Sequence, residues 1–365
     1  MTPNNLDAVR LAAAVMVLYG HSFVFLGQPE PLFLSWLPLG PLGVFIFFTI
    51  SGYLVSESWA RDPNLLRFFQ RRLLRIFPGL AVCILLTVLV LGPWLTTLPL
   101  KDYFANQHAW GYLQNIALHI VYYLPGVFEH NRVANAVNGS IWSLPVEFLM
   151  YIVVAVVGVL HGNRWTMLAL AVASAATCVL WAQVTQEMLV VFNFDLRQAF
   201  ICGTYFWVGA CFQKFELKRH LTLSVAMLAM FAMLCLEPRT QLLAWASWVL
   251  LPIVVLAFGF AHSPWLARLT SSGDYSYGIY IYAFPLQQSV VYLWPQIGIG
   301  TYLLVCMAGT LVFAILSWHL VECRALALKP RRPSPADASV AGVAALALSA
   351  PATIGGQRPT KREFL

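Results

Sequence analysis

The chain has 365 residues, 60% of them hydrophobic and 10% charged, with a mean hydropathy of +0.73 and a formal net charge of +7. A soluble domain covers its surface with about 25% charged residues, so this composition excludes a soluble enzyme and indicates a polytopic membrane protein. The basic excess is concentrated in alternate loops, where it sets topology and does not argue for nucleic acid.

Apolar stretches near the ~17–25 residues needed to cross hydrocarbon predict an all-α polytopic transmembrane helical bundle of about ten spans. They fall at about 7–27, 38–58, 77–98, 141–160, 165–184, 198–213, 220–236, 242–262, 276–295 and 300–321. The even loops and the C-terminal flank hold 14 Lys and Arg residues, the odd loops 4. This bias places the even loops and both termini in the cytoplasm. Asp7 and Arg10 interrupt the start and no small-residue cleavage site follows, so the first span is expected to stay as an anchor.

Within that first span Arg10 and His21 lie eleven residues apart. At 3.6 residues per turn the two side chains return to nearly one helix face, about 16 Å apart along the axis. An Arg at the bilayer centre costs roughly 2.5–3.5 kcal/mol, so a buried cation below a titratable imidazole points to chemistry inside the membrane. Asp7, three residues before Arg10, is placed to neutralise it. The second span closes on Ser51 and Gly52, an apolar-set hydroxyl and a position permitting close approach of a ligand or of another helix.

The second loop, Arg67-Phe-Phe-Gln-Arg71-Arg72-Leu-Leu-Arg75-Ile-Phe-Pro78, is the densest basic feature. On a helix Arg67, Arg71 and Arg75 form one stripe with Arg72 beside it. Guanidinium forks fit phosphate oxygens in pairs; positive-inside retention and anionic lipid contact account for the same residues without a ligand. The long loop 99–140 is predicted outside, with Trp110, Tyr112, Tyr122 and Tyr123 serving either an acceptor site or an interfacial belt. Its middle, 114–128, is too short to cross and is expected to lie in the interface or re-enter.

The fourth span opens Ser140-Ile-Trp142-Ser143-Leu-Pro145-Val-Glu147. Glu147 enters about two turns from the outside, and His21 lies in the outer half of the first span. The two are expected at similar depth, where a carboxylate beside an imidazole fixes its tautomer and stabilises its protonated form. Either one also fits a structural pairing with another polar group. Seven scattered cysteines without a CxxC and eight histidines without HExxH or HxxxH predict neither a disulfide frame nor a metal site. The segment from 329 is rich in Pro, Ala, Ser and Gly, and 338–350 is too short to span, so 329–365 is expected to be a disordered low-complexity cytoplasmic tail.

Taken in order, these segments resemble the acyltransferase 3 family, multi-pass membrane enzymes that O-acylate bacterial envelope and secreted glycans. The resemblance is carried by Arg10…His21, Phe47-Phe-Thr-Ile-Ser51-Gly52-Tyr-Leu, Arg71-Arg72-Leu-Leu-Arg75, Trp142-Ser143-Leu-Pro-Val-Glu147, Asp274-Tyr-Ser276-Tyr277-Gly278-Ile-Tyr280 and Trp318-His-Leu-Val-Glu322. It departs at Ala283, where many members carry His, and at Cys323-Arg324, where Lys/Arg-Pro is common. It implies an integral membrane acyltransferase domain over 1–328 in the bacterial cytoplasmic (inner) membrane. Acetyl or another acyl group would pass from cytoplasmic acyl-CoA, a co-substrate, to a hydroxyl of a glycan or glycolipid such as lipopolysaccharide. His21, Glu147 and Arg10 are the implied catalytic residues. Arg71, Arg72 and Arg75 would hold the CoA phosphates, its pantetheine arm passing Ser51 and Gly52. Membrane lipid and a separate extracytoplasmic partner protein complete the implied partners. The competing class is a transporter or flippase for a lipid-linked sugar, against which the lack of internal repeats counts.

Overall fold

A computed structural model describes residues 4–184, 189–191, 193 and 194–330. Among them are ten helices of twelve residues or more: α1 (Leu6–Leu26), α2 (Leu39–Arg61), α3 (Leu65–Leu86), α4 (Ser143–Val159), α5 (Arg164–Val184), α6 (Leu196–Lys214), α7 (Leu223–Leu234), α8 (Gln241–Phe260), α9 (Ser276–Leu293) and α10 (Ile299–Ser317). Strand among the described residues is confined to two short antiparallel hairpins, one joining α1 to α2 and one leading into α6. From residue 331 the expected tail lies outside the described residues.

Among the described residues seven helical stretches are long and apolar enough to cross a membrane, against the expected about ten. The shortfall is physical. The twelve residues of α7 rise only about 18 Å. α6 is diluted by Arg197, Gln198, Gln213 and Lys214, and α9 by Gln287, Gln288 and Ser289. α9 is nonetheless among the most enclosed helices, and the amide N–H groups of its two glutamines find acceptors in the bundle. Gln287 Nε2 donates to Leu18 O and to Ser22 Oγ, both at 2.8 Å. A helix surrounded by protein has no need of a lipid-compatible surface.

The third span also begins earlier than expected. α3 starts at Leu65, capped by Asn64, whose side chain accepts the Arg67 N–H at 3.0 Å, and continues through a π-helical turn to Leu95. Arg67, Arg71, Arg72 and Arg75 therefore ride on the spanning helix itself, and the loop shrinks to 62–64.

α2 is the hub of the bundle, packed against α1, α6, α4 and α8. Small residues make this approach possible. A Cβ at Gly43 would crowd the Ala13 carbonyl, and one at Gly52 would collide with the Phe206 carbonyl of α6. The reciprocal contact is Gly209 of α6 against the Thr49 backbone. The loop 99–140 neither re-enters as a span nor stands free. It forms short helical turns whose Tyr103, Tyr112, Leu124, Val127 and Phe128 are fully buried over one end of the bundle.

Candidate active site

At the Arg10 end of α1 the bundle encloses a cavity of about 410 Å³. α1 contributes Arg10, α2 Ser51, α3 Arg71, Arg72 and Arg75, and α4 Glu147 and Tyr151. Asp274 precedes α9, and Lys329 closes the rim. Two carboxylates sort the cations. Asp62 accepts from Arg67 Nη2 at 2.6 Å and from Arg71 Nη1 at 2.7 Å. Asp274 Oδ2 accepts from Arg75 Nη2 at 2.5 Å and from Arg10 Nη1 at 3.1 Å, while Ser276 Oγ donates to its Oδ1 at 2.5 Å. Hydrogen bonds from Arg67, and then from Arg71, hold the Asp62 carboxyl well below its ordinary range against the opposing effect of burial. Burial also opposes ionisation of Asp274, and the charges of Arg75 and Arg10 overcome it, so its pKa too is lowered.

Asp274 is a residue whose role sequence reasoning missed. It, more than Asp7, neutralises Arg10: the Asp7 carboxylate is 4.0 Å away and mostly exposed. Arg75 is tied to it and lies over the Tyr277 ring at 5.7 Å. The cation groups left unsatisfied belong to the neighbouring pair. Arg71 Nε and Nη2 and Arg72 Nε are buried without hydrogen-bond partners, and the Arg72 guanidinium lies over Phe68 and Tyr151 at 5.5 and 5.3 Å. Buried donors without acceptors are costly, and an anionic ligand with several oxygens would satisfy them.

Glu147 faces this same cavity, with neighbours other than those expected. Its Oε1 accepts from Ser51 Oγ at 2.5 Å and from Tyr151 OH at 2.6 Å. His21 lines a different cavity, of about 440 Å³, with Gly40, Tyr122, Ser140, Trp142, Asp195 and Arg197. The anticipated His21–Glu147 pair is absent among the described contacts. Similar depth does not make two side chains lateral neighbours, and Glu147 turns toward α2, where Ser51 meets it. Gly52 is buried against α6 and off the lining of the cavity, which assigns its missing side chain to helix packing. Glu322 accepts from Ser317 Oγ at 2.8 Å.

The His21 ring packs edge-on against the adjoining rings of Phe284, at 5.5 Å, and Phe25, at 6.3 Å. Its Nδ1 is enclosed without a partner, so Nε2 is the nitrogen available to the cavity. The two cavities are not independent, since Val44 and Tyr280 line both. Tyr280 is fixed by Ser143 Oγ at 2.5 Å and by donating to Ser140 O at 2.7 Å. A row of cations with open donor groups thus backs onto a wall whose far side carries an imidazole. A group bound through anionic oxygens at one end could present its reactive tip to a base at the other.

Comparison with known proteins gives this arrangement a class. A family described as acyltransferase domain matches residues 4–319. An O-acetyl transferase of Shigella phage Sf6 is 31% identical over 88% of this chain and 96% of its own length. Nodulation protein 10 of Rhizobium leguminosarum bv. viciae is 28% identical over 89% and 94%. The putative membrane-bound transacylase BcsY of Komagataeibacter xylinus is 26% identical over 90% and 84%. No solved structure matches.

Proposed function

Because the chain belongs to this acyltransferase family and so moves acyl groups, we propose that it O-acetylates a bacterial envelope or exported glycan from acyl-CoA. The observation that carries this reading is the pair Arg71 and Arg72, whose buried, unpartnered N–H groups line a cavity sharing a wall with that of His21. Their geometry suits the phosphates of coenzyme A, a cation fork for each set of anionic oxygens. Ser51, Tyr151 and Glu147 form the polar stretch the pantetheine arm would pass. Arg10 and Arg75, cross-linked through Asp274, form the rigid floor of the donor site and add positive potential to it. The Lys and Arg distribution supports a donor cavity open to the cytoplasm in the inner membrane, with the His21 cavity open to the outside. The name of the phage relative supports acetyl as the acyl group and oxygen as the acceptor atom.

In the reaction the acceptor hydroxyl gives its proton to His21 Nε2 as its oxygen attacks the thioester carbonyl carbon. The carbon–sulfur bond breaks, and the proton passes to the departing thiolate to give free coenzyme A. Bringing both substrates together where the two cavities meet, at Val44 and Tyr280, replaces a bimolecular encounter with a positioned one. The test is free-thiol release from acetyl-CoA by purified protein in nanodiscs. We expect it to require the glycan and to vanish in His21→Ala; glycan-independent release, or turnover retained without His21, overturns the assignment.

A further inference from the structure

The imidazole that takes a proton becomes a cation packed beside the adjoining rings of Phe25 and Phe284, an apolar environment that gives a charge no partner. Glu147 does not supply a counter-charge there, being engaged with Ser51 and Tyr151 in the other cavity. The loop after α1 does bring a carboxylate close. Glu30 Oε1 accepts the Gly40 N–H at 2.6 Å, a free donor in the first turn of α2, where the helix dipole favours negative charge. A Cβ at Gly40 would lie 3.1 Å from that oxygen and 3.8 Å from His21 Cδ2, which puts the oxygen within about 7 Å of the ring. Gly20, adjacent to His21, is open for the same reason: a Cβ there would collide with Glu30 Oε1 and sit 2.7 Å from Gly40 N. Two glycines, one on each helix, thus leave the space this carboxylate fills.

Taking His21 as the base, we infer that Glu30 is its positioning carboxylate, offsetting the positive charge His21 carries between accepting the acceptor proton and releasing it to the thiolate. Glu30 moves no proton itself. Burial raises its pKa and the Gly40 N–H counters the rise. The other titratable groups lining the cavity of His21 are Tyr122 from the long loop, Tyr280 from α9, and Asp195 and Arg197 at the start of α6. The last two hold each other at 2.8 Å, so their charges largely cancel at the ring.

The test is the pH dependence of acetyl transfer by the full-length protein in nanodiscs, comparing wild type, Glu30→Gln, Glu147→Gln and His21→Ala. Glutamine keeps an acceptor for the Gly40 N–H, so the loop stays anchored. We expect Glu30→Gln to move the acid limb about one pH unit lower, lower turnover at neutral pH about tenfold, and leave the Michaelis constant for acetyl-CoA unchanged. Glu147→Gln leaves the position of the limb in place, whatever it does to turnover. The pH dependence of His21 modification by diethyl pyrocarbonate, read by peptide mass spectrometry, shifts with the limb and needs no turnover. An unmoved limb and modification curve in Glu30→Gln overturn the inference while an inactive His21→Ala leaves the parent reading standing. An active His21→Ala overturns both.

Discussion

The two cavities solve opposite problems. At the Arg10 end cations are abundant, and Asp62 and Asp274 neutralise four of the arginines at one or more nitrogens while buried donors on Arg71 and Arg72 stay open. At the His21 end the ring is packed against phenylalanines, Asp195 and Arg197 pair with each other, and the Glu30 carboxylate is held by the N-terminus of α2. The first arrangement suits retention of a polyanion that is already charged. The second suits a group that must be neutral at rest and charged for an instant. A buried charge reads as binding where cations outnumber their carboxylate partners, and as catalysis where the charge is created during the reaction.

Substitutions that break this contrast rank by size. His21→Ala should lower glycan acetylation by about 10²–10⁴-fold with membrane protein level unchanged, measured by mass spectrometry of product and by immunoblot. Asp274→Asn strips Arg10 and Arg75 of their shared partner, each only partly exposed. Breaking such a pair costs about 3–5 kcal/mol when fully buried, so we expect a clear fall in melting temperature in detergent, with a smaller loss at this partly open site. Arg72→Glu should raise the apparent Michaelis constant for acetyl-CoA by about 10–100-fold, the loss of one charge-assisted contact and gain of a repulsion, while Arg67→Glu, spent on Asp62, changes it far less. Gly52→Ala should cost about 1–3 kcal/mol in stability through its clash with the Phe206 carbonyl, without altering the Michaelis constant. Asp7→Asn, 4.0 Å from Arg10 and exposed, should change either quantity by less than about 0.5 kcal/mol.

Acidification sharpens the same contrast. The pKa of Asp274 is lowered in the fold, so its stabilising contribution is present above the ordinary carboxylate pKa and is lost as pH falls through the lowered one. Asp274→Asn should therefore flatten the acid side of the melting-temperature profile.

Much of this architecture was legible before any coordinates. Apolar runs located the helices, and the eleven-residue spacing placed Arg10 and His21 at opposite ends of one of them. Hydropathy and charge bias give depth, however, and carry no information on which helices are neighbours. That is why Glu147 was expected beside His21 and is found beside Ser51. Interior helices such as α9 need less hydropathy than a lipid-facing span, because protein acceptors take up the amide N–H groups of Gln287 and Gln288. Glu30 sits in an irregular loop with no periodicity to announce it. Only the two glycines facing it, Gly20 and Gly40, left a trace in the sequence, and without coordinates nothing connected them.

On the proposed function, the basic cavity and the His21 cavity serve one reaction from opposite faces of the membrane. The most direct measurement is acetyl transfer in proteoliposomes of uniform orientation, with acetyl-CoA and glycan each confined to a chosen side. Product is expected only when acetyl-CoA is on the Arg71–Arg72 side and the glycan is on the His21 side. Equal product with both substrates on one side, or with the two exchanged, would contradict the proposed function.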